Sequence, residues 1–157
     1  MVLVFEIALV IILFVCLIYG IKYIMLLSVK HDADKNFEKL CSVLPKLYGD
    51  LTKMFSNSGC ENSIPFQDTQ KLISKALNFS PEKDGNERII AYANSIMKNA
   101  LILADMISEK DNKLFADYEK IKNKYNKSAE KLRHYADVFP TSFYARLKKI
   151  KTMDYLN

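Results

Sequence analysis

Breakers are scarce in this chain: four glycines and four prolines in 157 residues, with no tryptophan at all. Glycine and proline punctuate turns, so their scarcity disfavours a loop-rich or sandwich fold and favours long helices. Cysteine is scarce as well. Cys16, Cys41 and Cys60 form no C-x-x-C pair and no cysteine–histidine cluster. Neither a disulfide framework nor a metal site is indicated. The two histidines, His31 and His134, lie far apart, and His31 with Asp32 and Asp34 reads as a solvated juxtamembrane turn. No glycine-rich phosphate loop, G-x-S-x-G elbow or H-E-x-x-H motif occurs. Asp105, Glu109, Asp111, Asp117 and Glu119 are interleaved with lysines, the pattern of a solvated helix face. The expectation is a protein that is not an enzyme and has no catalytic, metal or cofactor residues.

Charge is missing from one region. Residues 1–29 contain only Glu6 and Lys22, and the rest of the 18 acids and 23 bases follow Val29. The two charges are 16 residues apart, about 24 Å along a helix. A hydrocarbon core is about 30 Å thick, so both can snorkel to opposite interfaces. Tyr19 and Tyr23 flank Lys22, where interfacial aromatics are common. A cleaved signal peptide would want bases before the apolar run and a small-residue site after it. The early charge here is acidic and no such site follows. Leu13-Phe14-Val15 before Cys16 is too bulky for lipoprotein processing. Lys22, Lys30, Lys35 and Lys39 follow the span, and positive-inside bias puts the body in the cytoplasm. The segment is therefore expected to be a single-pass anchor in the cell membrane, its short leading end outside.

The fold class expected is all-α: an N-terminal transmembrane helix (1–29) leading into an antiparallel bundle of long helices (30–139), then a basic amphipathic tail (140–157). From Asp34 to Phe55 apolar residues recur every three or four positions through Phe37, Leu40, Leu44, Leu47 and Leu51. Pro45 should kink this helix at a cost of about 3 kcal/mol, and the pattern continues past it. Residues 57–65 read as a loop, 67–79 as a short helix, and 79–86 as a loop with a turn of helix. From Glu87 to Phe139 there is no glycine or proline. That favours one long helix; the alternative is two helices joined near 108–112. Its second half carries a stripe at Leu114, Tyr118, Ile121, Tyr125, Ser128, Leu132, Tyr135 and Phe139, a repeat of about 3.5 residues. Core packing is the bland reading of this stripe and a homo-oligomer seam the other.

After Phe139-Pro140 the tail carries Arg146, Lys148, Lys149 and Lys151, with Phe143, Tyr144, Leu147, Ile150 and Tyr155 at about helical spacing. Such a tail can lie on anionic lipid, each base near the surface adding about 1 kcal/mol. Alternatively its apolar residues cover the open end of the bundle. Lys120, Lys122, Lys124, Lys127 and Lys131 form a basic stretch. No base-reading motif accompanies it, so nucleic acid is not an expected partner.

The carboxy-terminal third resembles the LemA family. The residues that carry the resemblance are Tyr125-Asn126, Phe139-Pro140, Ala145, Lys151 and Asp154-Tyr155-Leu156, with Val43-Leu44-Pro45-Lys46-Leu47 upstream. Leu132-Arg133 stands where the family has a second Tyr-Asn-type pair, and Ala33 is nearest the place of a tryptophan. The resemblance implies an anchored bundle of long helices facing the cytoplasm, and an architecture more than an activity. Read physically, Tyr125 packs its ring in the core and sends its hydroxyl to an edge. Asn126 is expected to be exposed or bonded to a neighbouring helix. Pro140 should stop the helix and Phe139 plug its end. The job expected is a scaffold presenting its bundle to a protein partner or a second copy; the alternative is an anionic-lipid-binding protein acting through the basic tail.

Overall fold

The computed structural model describes residues 2–108 and 113–157, with side chains from Phe5 onward. Among the described residues the regular structure is helical throughout. The long helices are α1 (Val2–Asn57), α2 (Ile64–Ala76), α3 (Pro81–Met106) and α4 (Lys113–Asp137); α5 (Thr141–Leu147) is a short one, and a single 3-10 turn at Cys60–Asn62 follows α1. The connections from α1 to α2 and from α2 to α3 fall where the sequence supplies a breaker. Gly59 adopts φ 73° after α1. Ser63 caps α2, its hydroxyl accepting from the Phe66 amide, with Pro65 in the first turn. Pro81 opens α3, and Gly85 (φ 72°, ψ 163°) breaks it after one turn. The turn of helix expected within 79–86 is therefore present.

α1 runs without interruption from the apolar segment into the body, past Pro45, whose ring faces solvent. At 56 residues it is about 84 Å long. Its apolar first part is long enough to cross a membrane, and none of that part is buried by the rest of the chain. From Leu26 onward a stripe is buried: Leu26, Val29, Ala33, Phe37, Leu40, Leu44, Leu47, Tyr48, Leu51 and Phe55. Its steps of three and four match the face expected from the sequence and extend it back by three turns.

α4 packs antiparallel along α1. Leu114 and Tyr118 lie beside Val43 and Leu47, the Tyr125 ring is 6.0 Å from Phe37, and Tyr144 beyond α4 is 5.1 Å from Tyr23. The expected stripe is spent on this contact, with Tyr118, Tyr125, Ser128 and Leu132 all buried. It is an internal seam. α3 packs on α2 and α1 through Ile89, Ile90, Ala93, Ile96, Met97, Ala100, Leu103 and Ala104.

The expectation of one helix over 87–139 is corrected. α3 ends at Met106, and Ser108 takes a left-handed φ of 59°. Reversing the chain lets the α4 stripe bury itself on α1, which a straight helix of that length would carry beyond the bundle. Residues 109–112 lie outside the described residues. The juxtamembrane turn expected at His31 is also corrected: His31 and Asp32 are exposed on α1, which continues helical through them.

Candidate functional site

Two features stand out once the helices are placed, and both involve the chain after Asp137. The first is a clasp. α5 ends with Lys149 in the left-handed region at φ 50°. The Ile150 amide donates to the Ala145 carbonyl at 2.9 Å and the Lys149 amide to that of Arg146 at 3.1 Å. This paired closure turns the chain sharply. It sends residues 150–157 into the space between α3 and α4, which make almost no direct backbone contact.

Side-chain amides hold the segment there. Asn126 donates to the Leu156 carbonyl at 2.7 Å and accepts from the Leu156 amide at 2.9 Å. Asn94 on α3 does the same one residue to either side: it donates to the Tyr155 carbonyl at 3.2 Å and accepts from the Asn157 amide at 2.7 Å. Each carboxamide thus acts as a strand neighbour would, satisfying backbone groups that no sheet supplies. The Tyr125 hydroxyl donates to the Asp154 carbonyl at 2.7 Å. Met153 and Leu156 are buried, and the Arg133 guanidinium lies 4.6 Å from the Tyr155 ring centre. Burial chiefly, then the Asp154 charge and Cys41, pushes the Tyr125 phenol above its ordinary value.

The Tyr125-Asn126 pair and Asp154-Tyr155-Leu156, far apart in the chain, are therefore one constellation. Asn126 bonds to this terminal segment rather than to a neighbouring helix. The helical spacing read from Phe143 to Tyr155 is corrected beyond Leu147: residues 150–157 are not helical, and their irregular course buries Met153 and Leu156 in the core. Asn94 was not legible in advance. Nothing in Ala91-Tyr92-Ala93-Asn94 separates it from an ordinary polar position beside a buried face.

The second feature is the α4–α5 corner. Phe139 does not plug the end of α4; it is 70% exposed. Its ring meets Tyr19 edge-on at 6.0 Å, and Tyr144 meets Tyr19 at 6.4 Å and Tyr23 at 5.1 Å. Pro140 follows the end of α4 and precedes α5. Ala145 and Thr141 are buried on the inner side of α5, while Arg146, Lys148, Lys149 and Lys151 are all exposed.

Away from the corner, α3 and α4 diverge around an apolar groove of about 610 Å³ that begins at Asn157 and is walled by Met97, Leu101, Ile102, Phe115 and Tyr118. The Tyr118 hydroxyl is buried without a hydrogen-bond partner, and burial pushes its phenol upward. Among the described residues no three His, Cys, Asp or Glu side chains converge as a metal would require. No family model, curated protein or solved structure matches this chain.

Proposed function

We propose that the protein is a single-pass, membrane-anchored, non-enzymatic helical scaffold of the LemA type, its short leading end outside and its body in the cytoplasm. One observation carries the reading: the uncovered apolar part of α1 and the buried stripe of the body lie on one uninterrupted helix. A helix so shared joins the body rigidly to the span, which suits a protein that presents a surface at fixed height. The groove beside Asn157 is the surface with room for a partner. It prolongs the slot that already holds residues 150–157, so an extended apolar peptide fits its shape.

Crosslinking of the full-length chain in intact membranes should capture a partner protein or a second copy. A chain that remains monomeric, with nothing co-purifying, would count against the scaffold. Cysteine labelling from either side of sealed vesicles at Cys60 tests orientation, which the proposal expects to be inside.

A second reading, anionic-lipid binding by the tail, is supported by the exposure of Arg146, Lys148, Lys149 and Lys151 on one short stretch. Deleting 141–157 is a poor test of it, because Met153 and Leu156 belong to the core. Replacing the four bases by glutamine leaves the clasp intact and should weaken lipid contact selectively in anionic membranes.

A further inference from the structure

We propose that the α4–α5 corner is a second membrane contact, in which Val138, Phe139, Phe143 and Leu147 enter the interface of the same bilayer that α1 crosses. The inference rests on the anchor reading of α1 and deepens the lipid reading of the tail by naming what enters the membrane and how far.

The argument begins on α1. Moving along it from Phe5, every residue is exposed until Tyr19, and the next covered one is Tyr23. What covers them is the corner, through Phe139 and Tyr144. The corner is therefore level with the end of the apolar span, where Lys22 marks the expected headgroup level. Tyr19 is three residues deeper, about 4.5 Å along the axis. Helices lying in an interface bury their apolar side about 5–10 Å into the boundary of headgroups and chains, so the depth agrees.

The outward side of the corner has the composition such a position needs. Phe139, Phe143 and Leu147 are spaced by four residues and are 70%, 57% and 63% exposed, with Val138 at 46% beside them. Large apolar side chains this exposed are costly in water. Aromatic residues are favoured at a bilayer interface. Arg146, Lys148 and Lys149 alternate with this patch and suit anionic headgroups. Thr141 and Ala145 meanwhile bind the opposite side of α5 to the body. The occupant of the patch is thus lipid, because at that height beside α1 the surrounding medium is lipid. The consequence is mechanical: two contacts, one spanning and one in the plane, fix the tilt of the body on the membrane where a single span would let it swing.

The chain has no tryptophan, so single replacements make clean depth probes. Full-length Phe139→Trp and Phe143→Trp are reconstituted in vesicles of phosphatidylcholine and phosphatidylglycerol with brominated acyl chains, and Met106→Trp at the far end of α3 serves as the reference. The two corner probes should emit to the blue of the reference, be quenched by bromine and resist aqueous iodide. The reference should do the reverse. All three positions are exposed, so none disturbs the core. Corner probes that behave like the reference, in protein that floats with the vesicles, would overturn the second contact and leave the anchor standing. Corner probes that are shielded from iodide yet not quenched by bromine would assign the patch to a protein partner and also overturn it. Protein that fails to float would sink the anchor, and the inference with it. Glutamine at Arg146, Lys148 and Lys149 should reduce bromine quenching in anionic vesicles and leave it unchanged in pure phosphatidylcholine.

Discussion

The two parts of α1 obey different rules on one continuous helix. From Phe5 to about Met25 apolar residues occur on every side, and among the described residues nothing covers them except at Tyr19 and Tyr23. After Leu26 apolar residues retreat to one stripe, and that stripe is buried from Leu26 to Phe55. A helix apolar all round needs an apolar solvent, whereas a helix with one apolar stripe needs a neighbour. The pattern changes within a turn of Lys22, and there the corner begins to cover the helix. Hydrogen bonding within α1 is local and indifferent to this change, so the helix can pass through it unbroken.

Alkali should separate the two parts most sharply. Burial, as the leading cause, raises the phenols of Tyr48, Tyr118 and Tyr125 above the ordinary 10.0. A proton held more tightly in the fold stabilises it fully below pH 10, and that stability is lost progressively as pH rises above it. Circular dichroism in micelles should therefore show the body unfolding above pH 10 while the apolar part of α1 stays helical. A body that keeps its cooperative melt at pH 12 would contradict this.

Core truncation comes next. Leu40→Ala, at 1% exposure, should cost about 2–5 kcal/mol in chemical denaturation of the body. Leu13→Ala should leave that transition where it is, because Leu13 is exposed on the uncovered part of α1 and does not touch the bundle. Equal effects at the two positions would break the comparison.

The clasp should give a smaller change. Asn126→Ala removes both bonds to Leu156 and should cost about 1–3 kcal/mol, the range for a buried polar group left unsatisfied. Hydrogen exchange at the Leu156 amide should accelerate in the variant, and unchanged protection there would argue against the clasp. Smallest of all is the ion pair between Lys30 and Asp34 at the head of the buried stripe, whose side chains are about two-fifths exposed. Lys30→Ala should cost only about 0.3–0.5 kcal/mol, as an exposed helical pair does, and raised salt should erase the difference.

Much of the architecture was legible because helical periodicity is a local property. The periodicity marks most of the buried residues on α1 and α4; Phe115, Ala129 and the extension from Leu26 to Ala33 lie outside it, and Phe139, which it includes, is exposed. The helix count in 87–139 was not legible. The stretch has no breaker, and its reversal near Ser108 is enforced by the burial that α4 gains on α1. The tail departs from its helical pattern beyond Leu147 for a similar reason. Ile150 continues the helical spacing of Phe143 and Leu147, but from there the chain runs non-helically into the slot between α3 and α4.

By itself, the sequence determined an all-α chain, an apolar first segment of membrane-crossing length, and most of the buried face of α1 and of α4. All three follow from composition and from periods of three and four residues, which act over a few turns. Only the tertiary structure decided which faces meet, where α3 gives way to α4, that Asn94 and Asn126 grip the terminal segment, and that Phe139 and Tyr144 come to rest against Tyr19 and Tyr23. Those are contacts between residues far apart in the chain, and their energy exists only after the helices have packed.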